Sequence, residues 1–400
     1  MTGKKPLAGL LVFAMLSLLT GCWGKTELNE IGIVTMTGVD LESDGNIRIT
    51  VMSIQPEGSA VATPTRSFTW IGTAVGKNLM DASKNLRAIS MKHLTWIHNT
   101  VIIIGQKAAR EKMDEVIDFF SRNREVRFNS YVLVAQDTAF AILQAPANIQ
   151  NDLSREIIGI INSAPDWSKT YVADAKDFLV SHAEECGNYI TGKISETYEK
   201  RTTFSAPRQE YEKLGLVGQE IPIVNLEGCA VFRRGKMLGW LDAKETRGYL
   251  WITGDIEVGT IITDVAEGDL SYENNFSKTS VEVSVKDEDI IFLVKVDTRG
   301  TLVEQTSEHD VRQQDVIEQI EEEFSEDIKR EMEASAEKIQ KEYKADVFGF
   351  GNLLHKKHPK VWKKIGADNW DEKYFPDVKI QYEVDVTIER TGKLLKSIYK

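Results

Sequence analysis

The sequence predicts an α+β protein of about three domains, with mixed and antiparallel sheets, packed helices and one long helix in the C-terminal domain. Three observations predict it. Short β-branched runs are bounded by turn formers. Helical patterns are scattered among them without strict βαβ alternation. A single apolar stripe runs through a charge-rich stretch near the C-terminus.

The elements follow in order. Ile31–Val39 and Ile47–Ile54 read as strands joined by residues 41–46, where Asp44-Gly45 is a hairpin signal. Residues 59–67 are small and polar and read as a loop. Gly76–Ile89 carries Leu79, Ala82, Leu86 and Ile89 at helical spacing. Thr100–Ile104 reads as a strand, Ala108–Ser121 as a helix presenting Met113, Val116, Ile117 and Phe120, and Ser130–Ala135 as a strand. Helical patches follow at 137–144, 151–162 and 173–185. Residues 186–222 concentrate turn formers and charge and read as a boundary. Cys229–Phe232 and Met237–Leu241 form a second hairpin, and Trp251–Ile262 with three strands around 270–300 extends a sheet. From Glu308 to about Lys344, Ile317, Ile320, Phe324, Ile328, Met332, Ile339 and Tyr343 mark one face of a long helix, ended by Gly349 and Gly351. Val378–Glu389 is the last strand. These elements divide the chain into an N-terminal α+β domain (31–190), a middle region with a hairpin (191–265) and a C-terminal α+β domain (266–400).

The first thirty residues read differently. Lys4 and Lys5 precede an apolar run, Leu7 to Leu19, that ends in Leu19-Thr20-Gly21-Cys22. A positive start, a short apolar stretch and small residues before a cut make a secretory signal peptide. The run falls short of the ~20 residues a membrane-spanning helix needs. A Leu-small-Gly-Cys ending is the lipobox pattern, so residues 1–21 are expected to be removed. Cys22 is then expected to carry diacylglycerol and acyl lipid, with 22–30 as a short membrane tether. Residues 23–30 reach at most ~28 Å even when fully extended.

Composition narrows the function. The chain has 400 residues, 42% hydrophobic and 28% charged, which is globular. Its formal net charge is −12, and removal of Lys4 and Lys5 makes it more negative by two. Such a surface disfavours nucleic acid and is repelled by anionic lipid heads, leaving the lipid to hold the protein. Beyond Cys22 only Cys186 and Cys229 remain, and they read as small buried hydrophobes, with a disulfide the other reading.

Motifs for chemistry fail on spacing. Gly72-Thr-Ala-Val-Gly76-Lys77-Asn78 has three residues between its glycines where a phosphate loop needs four, and Asn where it needs Ser or Thr. Asp40, Glu42, Asp44 and Gly45 imitate the start of an EF-hand loop, but its twelfth position is Val51. His93, His98, His182, His309, His355 and His358 form no metal-spaced cluster. No cofactor, metal or catalytic residue is expected, so an enzyme is the least favoured class. One surface patch stands out: Lys356, Lys357, Lys360, Trp362, Lys363 and Lys364 lie in 355–364, which contains no acid. It reads as a contact for lipid heads or an acidic partner, or else as a solvated basic helix with Trp362 turned inward.

Ordered fragments carry a resemblance. They are Cys22-Trp23, Glu27-Leu28-Asn29-Glu30-Ile31, Gly38-Val39-Asp40, Gly72–Lys77, Arg124-Glu125-Val126-Arg127, Gly228–Phe232, Gly239-Trp-Leu-Asp242, Glu245-Thr246-Arg247-Gly248, Ala345–Gly351, Pro359, Trp362, Asn369-Trp370-Asp371 and Tyr374-Phe375-Pro376-Asp377. In this order, behind a lipobox, the chain resembles the Ger(x)C family of spore-former lipoproteins, the C subunits of nutrient germinant receptors. Lys25 and Thr26 stand where that pattern is more charged. The resemblance implies three α+β domains on the outer leaflet of the spore inner membrane. It also implies assembly with integral-membrane A and B subunits and no catalysis. The alternative class is a solute-binding lipoprotein of a transporter, which would show two similar lobes of alternating strands and helices.

Overall fold

A computed structural model describes residues 30–54, 69–147, 152–183, 187–200, 220–265, 268–286, 289–306, 311 and 313–391. The signal peptide, the tether with Cys22, Cys186 and the expected loop at 59–67 lie outside these residues.

Two sheets organise the chain. The first holds β1 (Ile31–Leu41), β2 (Ile47–Ile54), β3 (Thr69–Gly76), β4 (His93–Thr95), β5 (Val101–Gly105), β6 (Tyr131–Ala135), β7 (Asn188–Lys200), β8 (Glu220–Arg233) and β9 (Lys236–Leu241). Its order is β3-β2-β1-β5-β6-β7-β8-β9, with β4 paired to the start of β1. The central strands β1, β5, β6 and β7 are parallel, and antiparallel hairpins close both sides. Val101–Ile104 are wholly buried, as expected for a central parallel strand covered on both faces. Asp44-Gly45 makes the expected turn, with Gly45 at φ 85°.

Helices cover the two faces. On one lie α1 (Leu79–Ile89), α2 (Gln106–Glu111), α3 (Met113–Arg122) and α6 (Ala175–Ala183), burying Leu86, Met113, Val116, Phe120 and Phe178. On the other lie α4 (Ala139–Gln144) and α5 (Leu153–Ser163), burying Ile142, Leu143, Ile157 and Ile161. Asn78, Thr138 and Asp152 accept backbone N–H bonds at the starts of α1, α4 and α5, which satisfies amides that a helix leaves open. The single helix expected over 108–121 is two, because Lys112 leaves helical geometry at φ −134°.

The second sheet is β10 (Thr260–Val265), β11 (Gly268–Lys286), β12 (Asp289–Gln305) and β13 (Lys379–Arg390), in that order, with β12 and β13 parallel. It packs with α7 (Ala243–Thr253), α8 (Gln314–Glu337), α9 (Phe350–Lys357) and α10 (Pro359–Ile365) around one large core. The long helix has the expected stripe: Ile320, Phe324, Ile328, Met332, Ile339 and Tyr343 are buried, and Ile317 is half-buried. A π-helical turn, Lys338–Tyr343, extends it, and it stops at Lys344 in a left-handed conformation, ahead of the glycines expected to end it.

Three expectations are corrected. Trp251–Ile262 is not one strand: Asp242 and Glu245 form a capping box and Gly254 ends α7, so Trp251 and Ile252 are buried in a helix, and only Thr260–Ile262 is strand, as the start of β10. The region 270–300 is two long strands, not three, because residues 271–286 pair continuously with 289–304 apart from two bulges. The boundary stretch 186–222 contains β7. The middle region at 191–265 does not stand apart: most of β7, with β8 and β9, completes the first sheet, and β10 belongs to the second. Cys229, Val231 and Leu241 also pack into the C-terminal core, which fastens the two sheets together.

Candidate functional site

The lysine patch forms two short helices on the outside of the C-terminal unit. α9 and α10 meet at His358 and Pro359, where proline's missing N–H is tolerated in a first turn. Lys356, Lys357, Lys360, Lys363 and Lys364 are exposed. Among the described residues no carboxylate pairs with any of the five. Lys356 and Lys357 end α9 and Lys363 and Lys364 end α10, where positive charge complements the helix dipole. Trp362 is separated from its neighbours by direction: it is 4% exposed and packs inward against Trp370 at 5.6 Å, with the His355 ring stacked on it at 5.5 Å. The patch is therefore a lysine surface over an aromatic base.

Beneath it, two fragments with no assigned role meet. Asp346 sits under the N-terminus of α9 and accepts from the Phe350 and Gly351 amides at 3.1 and 2.6 Å and from the Trp370 indole at 2.8 Å. Asp371 accepts from the Asp346 amide at 3.1 Å and from the Asn188 side chain of β7 at 2.9 and 3.0 Å. Burial pushes the Asp346 carboxyl up to about 6, against those three hydrogen bonds, with the Asp371 charge adding to the rise. Burial also raises Asp371, opposed by the bonds from Asn188 and the Asp346 amide. Arg233 pairs with Glu372 at 2.9 Å and Arg234 with Asp368 at 3.3 Å across the same joint. The sequence carried no capping signal for this joint: Asp346 lies four and five residues before the amides it accepts from, outside the two- or three-residue spacing of an N-cap side chain, and Gly349 holds the N-cap position.

A second joint holds the fragment Glu245–Gly248. Arg247 makes a two-pronged ion pair with Glu331 of α8, its Nε donating at 2.8 Å, and both side chains are nearly buried. Lys338 reaches Glu245 at 2.7 Å. Gly248 lets the two helices touch: a Cβ there would lie 2.0 Å from the Glu331 carbonyl oxygen.

The motifs that imitate ligand sites have structural partners. The Lys77 amide donates to Asp81 and the Asp81 amide to Asn78, so the glycine-rich stretch begins a helix. Asp44 accepts from Asn46, Glu42 pairs with Arg48, and Asp40 accepts from the Ala139 and Phe140 amides. Cys229 is a free, fully buried thiol that burial pushes up to about 11. Among the described residues, no group of three His, Cys, Asp or Glu could hold a metal, and no helix is long and apolar enough to cross a membrane.

A groove of about 270 Å³ separates the two sheets' units near these joints, lined by Tyr171, Asp177, Tyr249, Asp346, Phe348 and Asn352 among others.

Comparisons with known proteins agree with this architecture. A family model described as "Spore germination protein N-terminal domain" matches residues 24–196. One described as "Spore germination B3/ GerAC like, C-terminal" matches residues 227–392. Spore germination protein KC of Bacillus subtilis (strain 168) is 25% identical, covering 97% of this chain and 96% of that protein. Spore germination protein B3 of the same organism is 23% identical, covering 96% and 98%. The crystal structure of the GerBC protein shares the fold, with a TM-score of 0.53 at 20% identity over 88% of this chain and 96% of that one.

Proposed function

Because the chain belongs to the spore germination B3/GerAC-like family, we propose that it is the lipid-anchored C subunit of a nutrient germinant receptor. The observation that carries this reading is the match of both family models, the first of which begins two residues after Cys22. Cys22 bears diacylglycerol and acyl lipid and holds the protein on the outer leaflet of the spore inner membrane. Integral-membrane A and B subunits are its partners. Confinement to the same membrane raises its effective concentration beside them, so that modest contacts suffice for assembly. The lysine patch on α9 and α10 is the docking surface we favour, since unpaired positive charge in an acidic protein suits an acidic partner.

The role is one of assembly and response without catalysis. The polar clusters at Asp346 and Arg247 are spent on capping and on joining helices. Solute capture is the alternative. The groove beside Tyr249 and Phe348 gives it one supporting observation, whereas two dissimilar sheets are unlike the paired lobes of transporter-type binders. Thermal unfolding with amino acids, sugars and nucleosides separates the two: an assembly subunit shows no shift in Tm.

The decisive variant for the main reading is Cys22→Ala. It is expected to leave the polypeptide in the soluble fraction and to abolish the nutrient response. Membrane retention with an undiminished response would overturn the proposal.

A further inference from the structure

The corner of the fold where the tether enters carries an exposed apolar tip. β1 and β4 run parallel with Ile31 opposite His93, so the chain arriving at Glu30 lies level with Lys92 and Met91. β2 ends and β3 begins at the same end, since Ile33 pairs with Ile54 and Ile54 with Thr69. α1 follows β3 and runs back to this corner. Its last residue, Ile89, is 58% exposed, and Met91 is 97% exposed. Half-buried Trp70 lines a hollow of about 260 Å³ together with Ile89 and Met91.

Charge at this corner runs against the rest of the chain. Between Asp81 and Glu111 there is no Asp or Glu, while Lys84, Arg87 and Lys92 lie within it, in a protein of formal net charge −12. Lys84 and Arg87 are exposed and Lys92 is half-buried. Among the described residues, no carboxylate forms an ion pair with these three. Among the described residues the acidic neighbours are Glu30 at the entry point, Glu125, which accepts from the Trp96 amide, Asp81 in the first turn of α1, and Glu115 and Asp118, which line a hollow with Lys84 and Arg87 on the side of α1 facing α3; Lys92 is not among that hollow's lining residues.

We infer that this corner, Ile89 to Lys92 with Trp70 behind it, docks on the bilayer itself, its occupant being the headgroup layer of anionic phospholipid. The inference rests on Cys22 being lipidated. Residues 23–30 then hold Glu30 within ~28 Å of the membrane plane, with Met91 one strand away from the chain's own entry point. An unbranched apolar side chain can enter the acyl boundary, a tryptophan suits the interface, and lysine stems can lie along it with their charges at the headgroups. Docking there would fix how the first sheet stands on the membrane.

Methionine oxidation reads this directly. The chain from residue 22, lipidated at Cys22, is placed on vesicles of phosphatidylglycerol and phosphatidylcholine and treated with peroxide. The reference is the Cys22→Ala chain in solution. Mass spectrometry follows Met91 against Met80, 55% exposed near the opposite end of α1, about 14 Å along the helix from Ile89. The expected result is sulfoxide formation slowed several-fold at Met91 and unchanged at Met80. Equal rates at Met91 in vesicle-bound and free protein would overturn the inference, as would equal slowing at both methionines. A lipidated chain that fails to float with the vesicles would instead count against the anchor. Coupling the Cys22 thiol to a maleimide phospholipid then supplies the tether, and the same two methionines decide the corner.

Discussion

Trp362 and the lysines around it occupy one short stretch but act on different levels. Trp362 is core, so Trp362→Ala is expected to cost about 3–5 kcal/mol of stability in denaturant titration. Charge reversal at Lys360, Lys363 and Lys364 is expected to change stability by less than about 1 kcal/mol, because none of them has a charged partner to lose. That triple variant is nevertheless expected to impair the nutrient response, if the surface docks a partner. A variant that folds and responds normally would remove the patch from the proposal.

Asp346 gives a prediction with a sign. Its carboxyl is raised from 3.8 to about 6 in the fold, so the native state holds the proton more tightly than the unfolded chain. Stability from this group is therefore lost as pH rises from about 4 to about 6, and regained on acidification. Compared with Asp346→Asn, the native protein should gain about 1–3 kcal/mol between pH 7 and pH 4.5 in urea titrations. Parallel pH profiles would contradict the placement. At pH 7 the Asn variant should itself be weaker by about 1–3 kcal/mol, since it cannot accept from the Phe350 and Gly351 amides and the Trp370 indole as the carboxylate does.

At the scale of elements, the crossing of α7 and α8 has little room to relax. A Cβ at Gly248 would meet backbone, not a flexible side-chain end. Gly248→Ala is expected to destabilise by about 1–3 kcal/mol, read as a fall in Tm. Asp242→Ala, which removes the cap of α7, should cost about 0.5–2 kcal/mol. The same helix shows where the sequence was hard to read. Tyr249, Leu250, Trp251 and Ile252 are all buried, so no apolar–polar period betrays the helix, and the aromatic and β-branched residues suggest a strand. The capping residues Asp242 and Glu245 held the contrary signal. The stripe of α8 was legible because one side of that helix faces solvent. β7 was obscured for the opposite reason: past its centre Glu196 is half-buried and Thr197 and Tyr198 are exposed, so its apolar pattern fades. The lysine patch was visible in composition alone, whereas the Asp346–Asp371–Asn188 joint links residues 183 positions apart and is invisible until the fold closes.

For the whole molecule, the two sheets are joined by a shared core and by polar contacts, so the C-terminal unit is held to the first sheet and, through it, to the tether. In the proposed receptor, a short tether sets height, the corner at Met91 sets orientation, and the lysine surface on the other unit meets the partner. Disrupting the joint with Asn188→Ala should loosen the units while leaving both cores intact. Hydrogen exchange is expected to rise around residues 345–371 and to stay unchanged in β5 and β6.

The most direct test of the account is the chemical state of the mature amino terminus in spore membranes. Mass spectrometry of the N-terminal peptide should find it beginning at Cys22 with diacylglycerol and acyl mass attached, in the membrane fraction. A free Cys22 thiol, or a polypeptide recovered mainly in the soluble fraction, would contradict it.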